Sequence, residues 1–509
     1  MSPEPSEPVD LLIIGGGING TGIARDAVGR GLSVLLAEKG DLASATSSAS
    51  TKLIHGGLRY LEYYEFRLVR ESLAEREVLL GLAPHIIWPL RFVMPHDKSL
   101  RPQWMIRAGL FLYDHIGGKR SLPASRRLDL TQHRAGLPLA ETYRSGFEYA
   151  DCWVDDARLV ALNAVGAAAR GATILTRTTC IGARRDADLW RVTLRTEDGA
   201  SREVAARFLV NAAGPWVRDV LTGTLGQNAS NAVRLVKGSH IVVPRLYEGQ
   251  HAYIFQNDDR RIVFAIPYEH DFTLIGTTDL AADSPDQAAI TSDEIAYLCR
   301  AVSRYFRRPV LPTEIVWSYS GIRPLYDDGH SDPSAITRDY VLDLDEKPDA
   351  APILSVYGGK ITTFRRLAEH ALEKIVPHFQ RQRRHIAPPW THATALPGGE
   401  LDGMSFDDYA KALAARLPAI EPPVLRRLAR RHGSRVVALL GDGARSGDLG
   451  PNFGGGLYGR EIDWLMREEW ANEPVDVLWR RTKCGLHMDQ AGRDRVGEWM
   501  ARQQTATAS

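Results

Sequence analysis

The order of apolar and polar positions near the start of the chain predicts alternating strands and helices. Residues 10–14 form a short apolar run of the length typical of a buried strand, and a glycine-rich turn separates it from a helical pattern that ends at Arg30. Gly31 follows, and residues 32–37 predict the next strand. A strand, a turn, a helix and a second strand in this order are typical of a parallel βαβ unit, so we predict an α/β fold.

Two later regions differ in pattern. From residue 151 the α/β pattern restarts, with Asp155 and Asp156 before a predicted helix and a predicted hairpin over residues 190–210. Residues 236–320 instead alternate the strand-like runs SHIVVP, AYIFQ, RIVFAIP and FTLIGTT. These runs predict an antiparallel sheet, which we expect to form the floor of a separate domain.

The remaining segments complete a prediction of three domains. Residues 321–385 return to the α/β pattern and close with a predicted helix over Arg365–Val376, and residues 380–389 have the charges and prolines of a linker. We expect a discontinuous α/β domain, a second domain built on the antiparallel sheet, and a helical C-terminal domain. Their bounds are 1–80, 151–235 and 321–385 for the first domain, 81–150 and 236–320 for the second, and 390–509 for the third.

Composition and charge exclude several classes of protein. The chain has 509 residues, of which 44% are apolar and 25% charged, as in ordinary globular proteins. Its formal net charge of +1 gives no global basic field for a nucleic-acid partner. The four cysteines form no CxxC pair, which argues against a metal site or disulfide framework and fits the cytoplasm. The sequence shows no signal peptide and no apolar run long enough to span a bilayer, so we expect any membrane contact at one face.

Gly15, Gly17 and Gly20 match the G-x-G-x-x-G fingerprint of dinucleotide-binding proteins. Gly15 permits the tight turn, Gly17 lets the backbone approach a pyrophosphate, and Gly20 lets the helix pack close to the strand. The helix N-terminus offers free N–H groups to the phosphates. Glu38 ends the second strand, where a carboxylate accepts hydrogen bonds from ribose hydroxyls. The fingerprint alone leaves FAD and NAD as alternatives.

Motifs along nearly the whole chain resemble those of one family, the FAD-dependent glycerol-3-phosphate dehydrogenases, which are aerobic and quinone-linked. The motifs are ATSSASTKLIHGGLRYLEYYEF, GFEYADCWVDDARLV, LVNAAGPWV, KGSHIVVPR, IGTTD, WSYSGIRPL, AITRDY, SVYGGKITTF and the C-terminal DVLWRRTKCGL. The resemblance implies a bound FAD and a Rossmann-like FAD-binding domain similar to that of glycine and D-amino-acid oxidases. The antiparallel sheet would then belong to a substrate-binding domain.

The resemblance also implies a reaction and its partners. It implies oxidation of sn-glycerol 3-phosphate to dihydroxyacetone phosphate, with hydride moving from C2 to the flavin N5 and electrons passing to membrane ubiquinone or menaquinone. Such an enzyme serves glycerol and glycerophospholipid catabolism and the respiratory chain. It is expected in the cytoplasm, held peripherally at the inner face of the cytoplasmic membrane, and it is compatible with a homodimer.

Two other functions stay open on the residues alone. A glycerol-3-phosphate oxidase of the same fold would pass the electrons to oxygen. A flavin-binding protein that has lost catalysis would instead act as a regulatory partner.

Candidate FAD-binding residues lie in five segments. Hydroxyl groups after the second strand can hydrogen-bond the cofactor, and a Gly-Gly-Lys loop that enters a helix can offer N–H groups to flavin or phosphate oxygens. A buried strand that ends in small residues before Gly214 lets the backbone approach a ligand. The predicted cofactor residues are Gly15, Gly17, Ile18, Asn19, Gly20, Glu38, Lys39, Ser47, Ser50, Thr51, Gly214, Gly359, Lys360 and Thr362.

Oxidation of a phosphorylated secondary alcohol requires a cationic site for the phosphate and a base for the hydroxyl proton. Arg323, Arg338 and Arg59 are the phosphate candidates, because guanidinium groups match phosphate oxygens. His55 and His240 are rival bases, and the sequence does not rank them. The predicted catalytic residues are His55, Arg59, Tyr60, His240, Arg323 and Lys360.

Two segments are candidates for contact with a membrane surface. Val424–Arg431 predicts a short basic helix that attracts anionic headgroups, and Trp104–Tyr113 is an apolar and aromatic stretch suited to the interface. The alternative is a solvated charged face for the first segment and a core position for the second.

Overall fold

Two large sheets and a helical C-terminal region organise the computed structural model, which describes residues 7–97, 102–118, 120–227, 233–259, 261–326 and 339–508. The strands are β1 Val9–Ile14, β2 Val34–Ala37, β3 Leu53–Ile54, β4 Ile87–His96, β5 Arg126–Asp129, β6 Ser145–Val154, β7 Thr173–Leu175, β8 Thr178–Asp186, β9 Leu189–Thr196, β10 Ser201–Asn211, β11 Val233–Pro244, β12 Ala252–Gln256, β13 Ile262–Tyr268, β14 Phe272–Gly276, β15 Leu280–Ala281, β16 Trp317–Tyr326, β17 Val341–Asp345, β18 Ile353–Tyr357, β19 Asn452–Gly454 and β20 Leu457–Tyr458. The α-helices are α1 Ile18–Gly29, α2 Phe66–Leu82, α3 Gln103–Ile116, α4 Asp156–Ala168, α5 Val217–Asp219, α6 Ser292–Ser303, α7 Phe364–Arg381, α8 Phe406–Arg416, α9 Pro422–His432, α10 Val436–Leu440, α11 Gly459–Glu469 and α12 Gln490–Ala508.

The first sheet has the predicted βαβ arrangement around β1. Its strand order is β17-β18-β10-β1-β2-β7, and the pairs from β18 to β7 are parallel. β1 is buried on both faces because it lies at the centre, which explains its unbroken apolar run. Helices α1, α4 and α7 share one core with this sheet. The α/β prediction is therefore confirmed.

The second sheet contains the four strand-like runs predicted over residues 236–320. Its order is β15-β11-β14-β13-β12-β4-β6-β3, with β16 beside β11 and β5 beside β6. All of its pairs are antiparallel except β4 with β12. The sheet therefore matches the predicted antiparallel floor, with one parallel junction.

The chain passes between the two sheets at more places than the predicted domain bounds allow. β3 lies within the predicted first segment and β16 crosses residue 321, yet both pair in the second sheet. β16 stays in that sheet because it pairs with β11 along its whole length, from Trp317 to Tyr326. Segments that follow β2 and precede β17 therefore pass directly from one sheet to the other.

The C-terminal region has its own helical core. Helices α8, α9 and α11 bury Leu413, Leu428 and Leu465 in one cluster. Buried ion pairs connect it to the rest of the chain, among them Arg158 with Glu469. α7 continues through Pro377 to Arg381, past the predicted end at Val376. In the described part of the chain, no helix has the length and apolar character to cross a bilayer.

Candidate cofactor and substrate site

Gly15 and Gly17 of the fingerprint line a cavity of about 330 Å³ at the carboxyl end of β1. Gly15 has a φ of +113°, and a Cβ there would lie 2.4 Å from the carbonyl oxygen of Ala212. A Cβ on Gly20 would lie 1.9 Å from the carbonyl oxygen of Gly15. α1 begins after Gly17, which has no side chain to cap it, so its first turn can offer N–H groups to an anion. The turn thus has the shape that a pyrophosphate requires.

Glu38 lies in the wall of the same cavity. Its carboxylate accepts hydrogen bonds from the amide of Gly16 at 2.6 Å and the amide of Gly40 at 2.8 Å. Burial raises the pKa of this carboxyl, and the two amides oppose the shift. Nearby, the Lys39 ammonium lies 3.6 Å from the centre of the Trp216 ring, so the two side chains pack together in the cavity wall.

The three predicted hydroxyl ligands that follow β2 have different partners. Ser47 lines the cavity, and its Oγ accepts a hydrogen bond from the amide of Ile18 at 3.0 Å. Ser50 instead donates its hydroxyl to Asp156 at 2.8 Å, so Ser50 orders the loop around Lys52. Thr51 lies with its Oγ1 3.0 Å from Nε2 of His240, on the side of a second cavity.

The second cavity, of about 300 Å³, adjoins the first and shares Ile18, Thr46, Ser47, Gly358 and Gly359 with it. Its lining brings together all the predicted catalytic residues, namely His55, Arg59, Tyr60, His240, Arg323 and Lys360. Arg338, the remaining phosphate candidate, lies outside the described residues.

The two cavities together fit an extended FAD. Asn19 donates its amide to the carbonyl of Gly358 at 3.1 Å, while its buried Oδ1 has no hydrogen-bond partner among the described residues. A cofactor donor at the junction of the cavities would satisfy that oxygen. Gly359 in the Gly-Gly-Lys loop has a φ of +99°, a conformation that favours glycine, and it lines both cavities at this junction. Thr362 accepts a hydrogen bond from the amide of His55 at 3.3 Å, which ties this loop to the substrate side.

Arg323 is held in place by groups that the sequence analysis did not single out. Its Nη2 lies 2.7 Å from a carboxylate oxygen of Asp279 and donates to the carbonyl of Thr278 at 3.2 Å. A Cβ on Gly238 would lie 2.4 Å from that nitrogen, so glycine on the neighbouring strand leaves room for the guanidinium. The guanidinium is therefore fixed at the wall of the cavity. The IGTTD motif contains Asp279, but no sequence signal pairs it with Arg323.

His240 is a buried neutral imidazole. Its ring stacks on Tyr319 with 4.8 Å between ring centres and covers Gly276, where a Cβ would come within 2.0 Å of the imidazole. Burial lowers the pKa of His240 well below the ordinary value, and the nearby charges of Lys52 and Arg323 add to the effect. Its Nδ1 has no hydrogen-bond partner among the described residues.

Lys360 and Arg59 contact aromatic rings at the cavity. The Lys360 ammonium lies 3.7 Å from the centre of the Tyr60 ring. Arg59 donates to the hydroxyl of Tyr63 at 3.3 Å. Both cations are therefore placed by ring contacts at one end of the cavity.

The turn after His55 rests on a polar network that sequence reasoning missed. The amide of Gly56 donates to the hydroxyl of Tyr113 at 2.8 Å, and that hydroxyl donates to Asp151 at 2.7 Å. Arg76 also donates to Asp151 at 2.8 Å. All three of these side chains are buried. They lie on separate elements, so no local pattern could have joined them.

The two predicted membrane segments differ in exposure. The basic helix predicted on α9 is present, and two of its four arginines contact other side chains: Arg430 packs over Phe406 and Trp88, and Arg431 bonds Glu461. On α3, Leu110 and Tyr113 join the core, whereas four other apolar side chains face outward. We call them the α3 patch: Trp104, Met105, Phe111 and Leu112, which are 70%, 42%, 64% and 38% exposed.

Comparison with known proteins agrees with this geometry. The family "FAD dependent oxidoreductase" matches residues 10–343, and "C-terminal domain of alpha-glycerophosphate oxidase" matches residues 389–505. The chain is 52% identical to a D-erythritol 1-phosphate dehydrogenase of Brucella abortus, over 97% of this chain and 98% of that protein. It is also 52% identical to a glycerol-3-phosphate dehydrogenase of Pseudomonas aeruginosa, over 97% of this chain and 96% of that protein.

Solved structures have the same fold. The glycerol-3-phosphate dehydrogenase of Bacillus halodurans, complexed with FAD, superposes with a TM-score of 0.76 at 27% identity, covering 98% of this chain and 91% of that one. The glycine oxidase of Bacillus cereus superposes with a TM-score of 0.54 at 18% identity, covering 72% of this chain and 97% of that one, which reflects the fold alone. The predicted cofactor and fold type are confirmed, and this chain belongs to the family of FAD-dependent glycerol-3-phosphate dehydrogenases.

Proposed function

We propose that this protein oxidises sn-glycerol 3-phosphate to dihydroxyacetone phosphate and passes the electrons through FAD to a membrane quinone. One observation carries the proposal: six residues chosen for this chemistry from the sequence line one cavity that opens into the cofactor cavity. FAD, when bound, supplies the ring that takes up the hydride, which no side chain can do.

Arg323 is the proposed anchor of the substrate phosphate. Its pairing with Asp279 and the carbonyl of Thr278 fixes the orientation of the guanidinium at the wall of the substrate cavity. Charge-assisted hydrogen bonds of this kind contribute about 1.5–3 kcal/mol. Arg59, which lines the same cavity, is proposed to bind the phosphate together with Arg323.

His240 and His55 remain the two proposed bases for the hydroxyl proton. His240 is neutral at neutral pH, so its ring can accept a proton, and Thr51 orients it through Nε2. His55 lies on a turn held by Thr362 and Tyr113. Separate His240→Asn and His55→Asn variants, compared through the pH profile of kcat, would assign the role.

A second substrate is favoured by the relative from Brucella abortus. That protein is named a D-erythritol 1-phosphate dehydrogenase and is 52% identical to this chain over nearly its whole length. A four-carbon polyol phosphate carries the same phosphate and secondary alcohol as glycerol 3-phosphate, with one more carbon. The ratio of kcat/KM for the two compounds decides between them.

Anaerobic titration of the holoenzyme with glycerol 3-phosphate tests the proposed reaction. The flavin absorbance at about 450 nm is the readout. Bleaching at stoichiometric substrate supports the proposal. A protein that stays yellow would instead be the inactive flavin-binding protein. Peroxide yield in air against reduction of a quinone analogue separates an oxidase from a quinone-linked dehydrogenase.

Peripheral attachment to the inner face of the cytoplasmic membrane is proposed to place the enzyme beside its quinone. The α3 patch supports this, since it exposes two large aromatic and two aliphatic side chains on one helix. Assembly as a homodimer stays a proposal, tested by sedimentation of the purified protein.

A further inference from the structure

The C-terminal motif DVLWRRTK is used by none of the steps proposed so far, yet its side chains reach the cofactor-binding domain. Arg481 donates two hydrogen bonds to the carboxylate of Asp41, at 2.8 and 2.9 Å, and Arg480 donates a third at 2.6 Å. Asp41 is 2% exposed and Arg481 is fully buried. Burial would raise the pKa of Asp41, but the two guanidinium groups outweigh it and hold that pKa below the ordinary value.

Asp41 belongs to the loop that forms one wall of the cofactor cavity. We call residues 38–44 the ribose loop, because it begins at Glu38. The amide of Gly40 donates to the Glu38 carboxylate, and the amide of Ser44 donates to the carbonyl of Asp41 at 3.1 Å. Ser44 lines the cavity beside Glu38. A shift of Asp41 would therefore move the Gly40 amide, which orients Glu38, and Ser44, which lines the cavity.

A second contact joins the same C-terminal turn to this loop. Asp476 accepts a hydrogen bond from the guanidinium of Arg177 at 2.9 Å, and the amide of Arg177 donates to the carbonyl of Gly40 at 2.8 Å. Asp476 also pairs with Arg480, so the two contacts share one network. The ribose loop is thus bonded to the C-terminal domain directly at Asp41 and, through Arg177, indirectly at Gly40.

We propose that Asp476, Arg480 and Arg481 form a clamp through which the C-terminal domain holds the ribose loop in the shape that binds FAD. In this role they are positioning residues, since they act through Asp41 and Gly40 on Glu38. The C-terminal domain then contributes to cofactor retention without lining the cofactor cavity itself.

The test is FAD affinity of the apoprotein, measured by quenching of flavin fluorescence, with the rate of FAD release as a second readout. Arg481→Lys keeps the charge but cannot form the two-pronged bond, so we expect FAD to bind about tenfold more weakly. Arg430→Lys is the matched control, because Arg430 also packs between the C-terminal domain and the rest of the chain, over Trp88, but touches no part of the ribose loop. It should bind FAD as the wild type does.

A double-mutant cycle with Asp41→Asn and Arg481→Gln tests whether Arg481 acts on FAD binding through Asp41. If the clamp acts through this pair, the double variant should lose no more FAD affinity than the weaker-binding single variant. Arg480→Gln serves if Arg481 variants fail to fold, since Arg480 is 14% exposed and its loss leaves Asp41 paired with Arg481. Wild-type affinity and release rate in Arg480→Gln and Arg481→Lys would overturn the proposal, as would equal weakening by Arg430→Lys. No substrate is added, so the result does not depend on the proposed reaction.

Discussion

The hydroxyl of Tyr113 lies 2.8 Å from the amide nitrogen of Gly56, and this hydrogen bond links an outward-facing helix to the substrate cavity. Tyr113 is on α3, the helix that carries the α3 patch, while Gly56 follows His55. The same hydroxyl donates a hydrogen bond to the carboxylate of Asp151. The surface proposed to meet the membrane and the turn proposed to meet the substrate therefore share one buried contact.

Tyr113→Phe tests the contribution of this contact to the substrate turn. The variant leaves the Gly56 amide with only a long contact to Asp151, at 3.4 Å. A buried hydrogen-bond group that loses its partner costs about 1–3 kcal/mol, so we expect kcat/KM to fall by about fivefold or more, with FAD content unchanged. Tyr253→Phe is the control, because it removes a comparable buried bond, to the carbonyl of Ala135, away from the cavity. Equal losses in the two variants would contradict a specific role.

Arg323→Gln tests the phosphate anchor. The substitution removes a charge-assisted contact of about 1.5–3 kcal/mol and leaves Asp279 unpaired from Arg323, so KM for the phosphorylated substrate should rise by about tenfold or more. Steady-state kinetics with the quinone analogue measures it. An unchanged KM would remove Arg323 from the phosphate site.

Gly238→Ala tests the same anchor by steric means. A Cβ at this position would lie 2.4 Å from Nη2 of Arg323 and 2.8 Å from Oγ1 of Thr277, so the guanidinium must move. We expect a higher KM at normal FAD content. Gly182→Ala is the matched control, because its strand position has open space around the added carbon. Normal KM in Gly238→Ala would show that Arg323 tolerates displacement.

The α3 patch predicts binding to lipid vesicles. Replacing Trp104 and Phe111 by serine removes the two most exposed aromatic side chains of the patch, and we expect most of the co-sedimentation with vesicles to be lost while flavin reduction by substrate in solution persists. Arg426→Ser with Arg427→Ser on α9 provides the comparison. Vesicle binding that depends on α9 and not on α3 would reassign the contact.

Two buried histidines predict a loss of stability in mild acid. Burial lowers the pKa values of His85 and His240 well below 6.5, so both stay neutral in the folded protein. The unfolded chain takes up their protons as pH falls through about 6.5, so it binds more protons than the folded one and becomes favoured. Each histidine contributes a slope of up to about 1.4 kcal/mol per pH unit below that point. His85→Leu should reduce the slope of the unfolding free energy against pH, measured by urea unfolding; an unchanged slope would contradict this origin.

The sequence predicted the features that local pattern determines. The fingerprint at Gly15, Gly17 and Gly20 specifies a turn, a strand and a helix within a few residues, and the structure has all three. The resemblance selected the residues of the substrate cavity, although they come from four distant segments. Periodicity alone would not have joined them.

The features that were missed depend on contacts between distant positions. Asp279 pairs with Arg323, and Tyr113 reaches Gly56, only because strands and helices bring them together. The contacts of Arg430 on α9 were missed for a similar reason, since its guanidinium packs over the rings of Trp88 and Phe406. A sequence pattern shows charge, but not which neighbour will cover it.

The contacts of Asp41 with Arg480 and Arg481 join positions 439 and 440 residues apart. During synthesis the ribose loop therefore leaves the ribosome well before its guanidinium partners. Domains that emerge first can fold first, but this loop reaches its final bonding only after Arg480 and Arg481 have been synthesised. A nascent or truncated chain that ends before Arg480 would therefore possess the nucleotide fingerprint without the proposed support of the ribose loop.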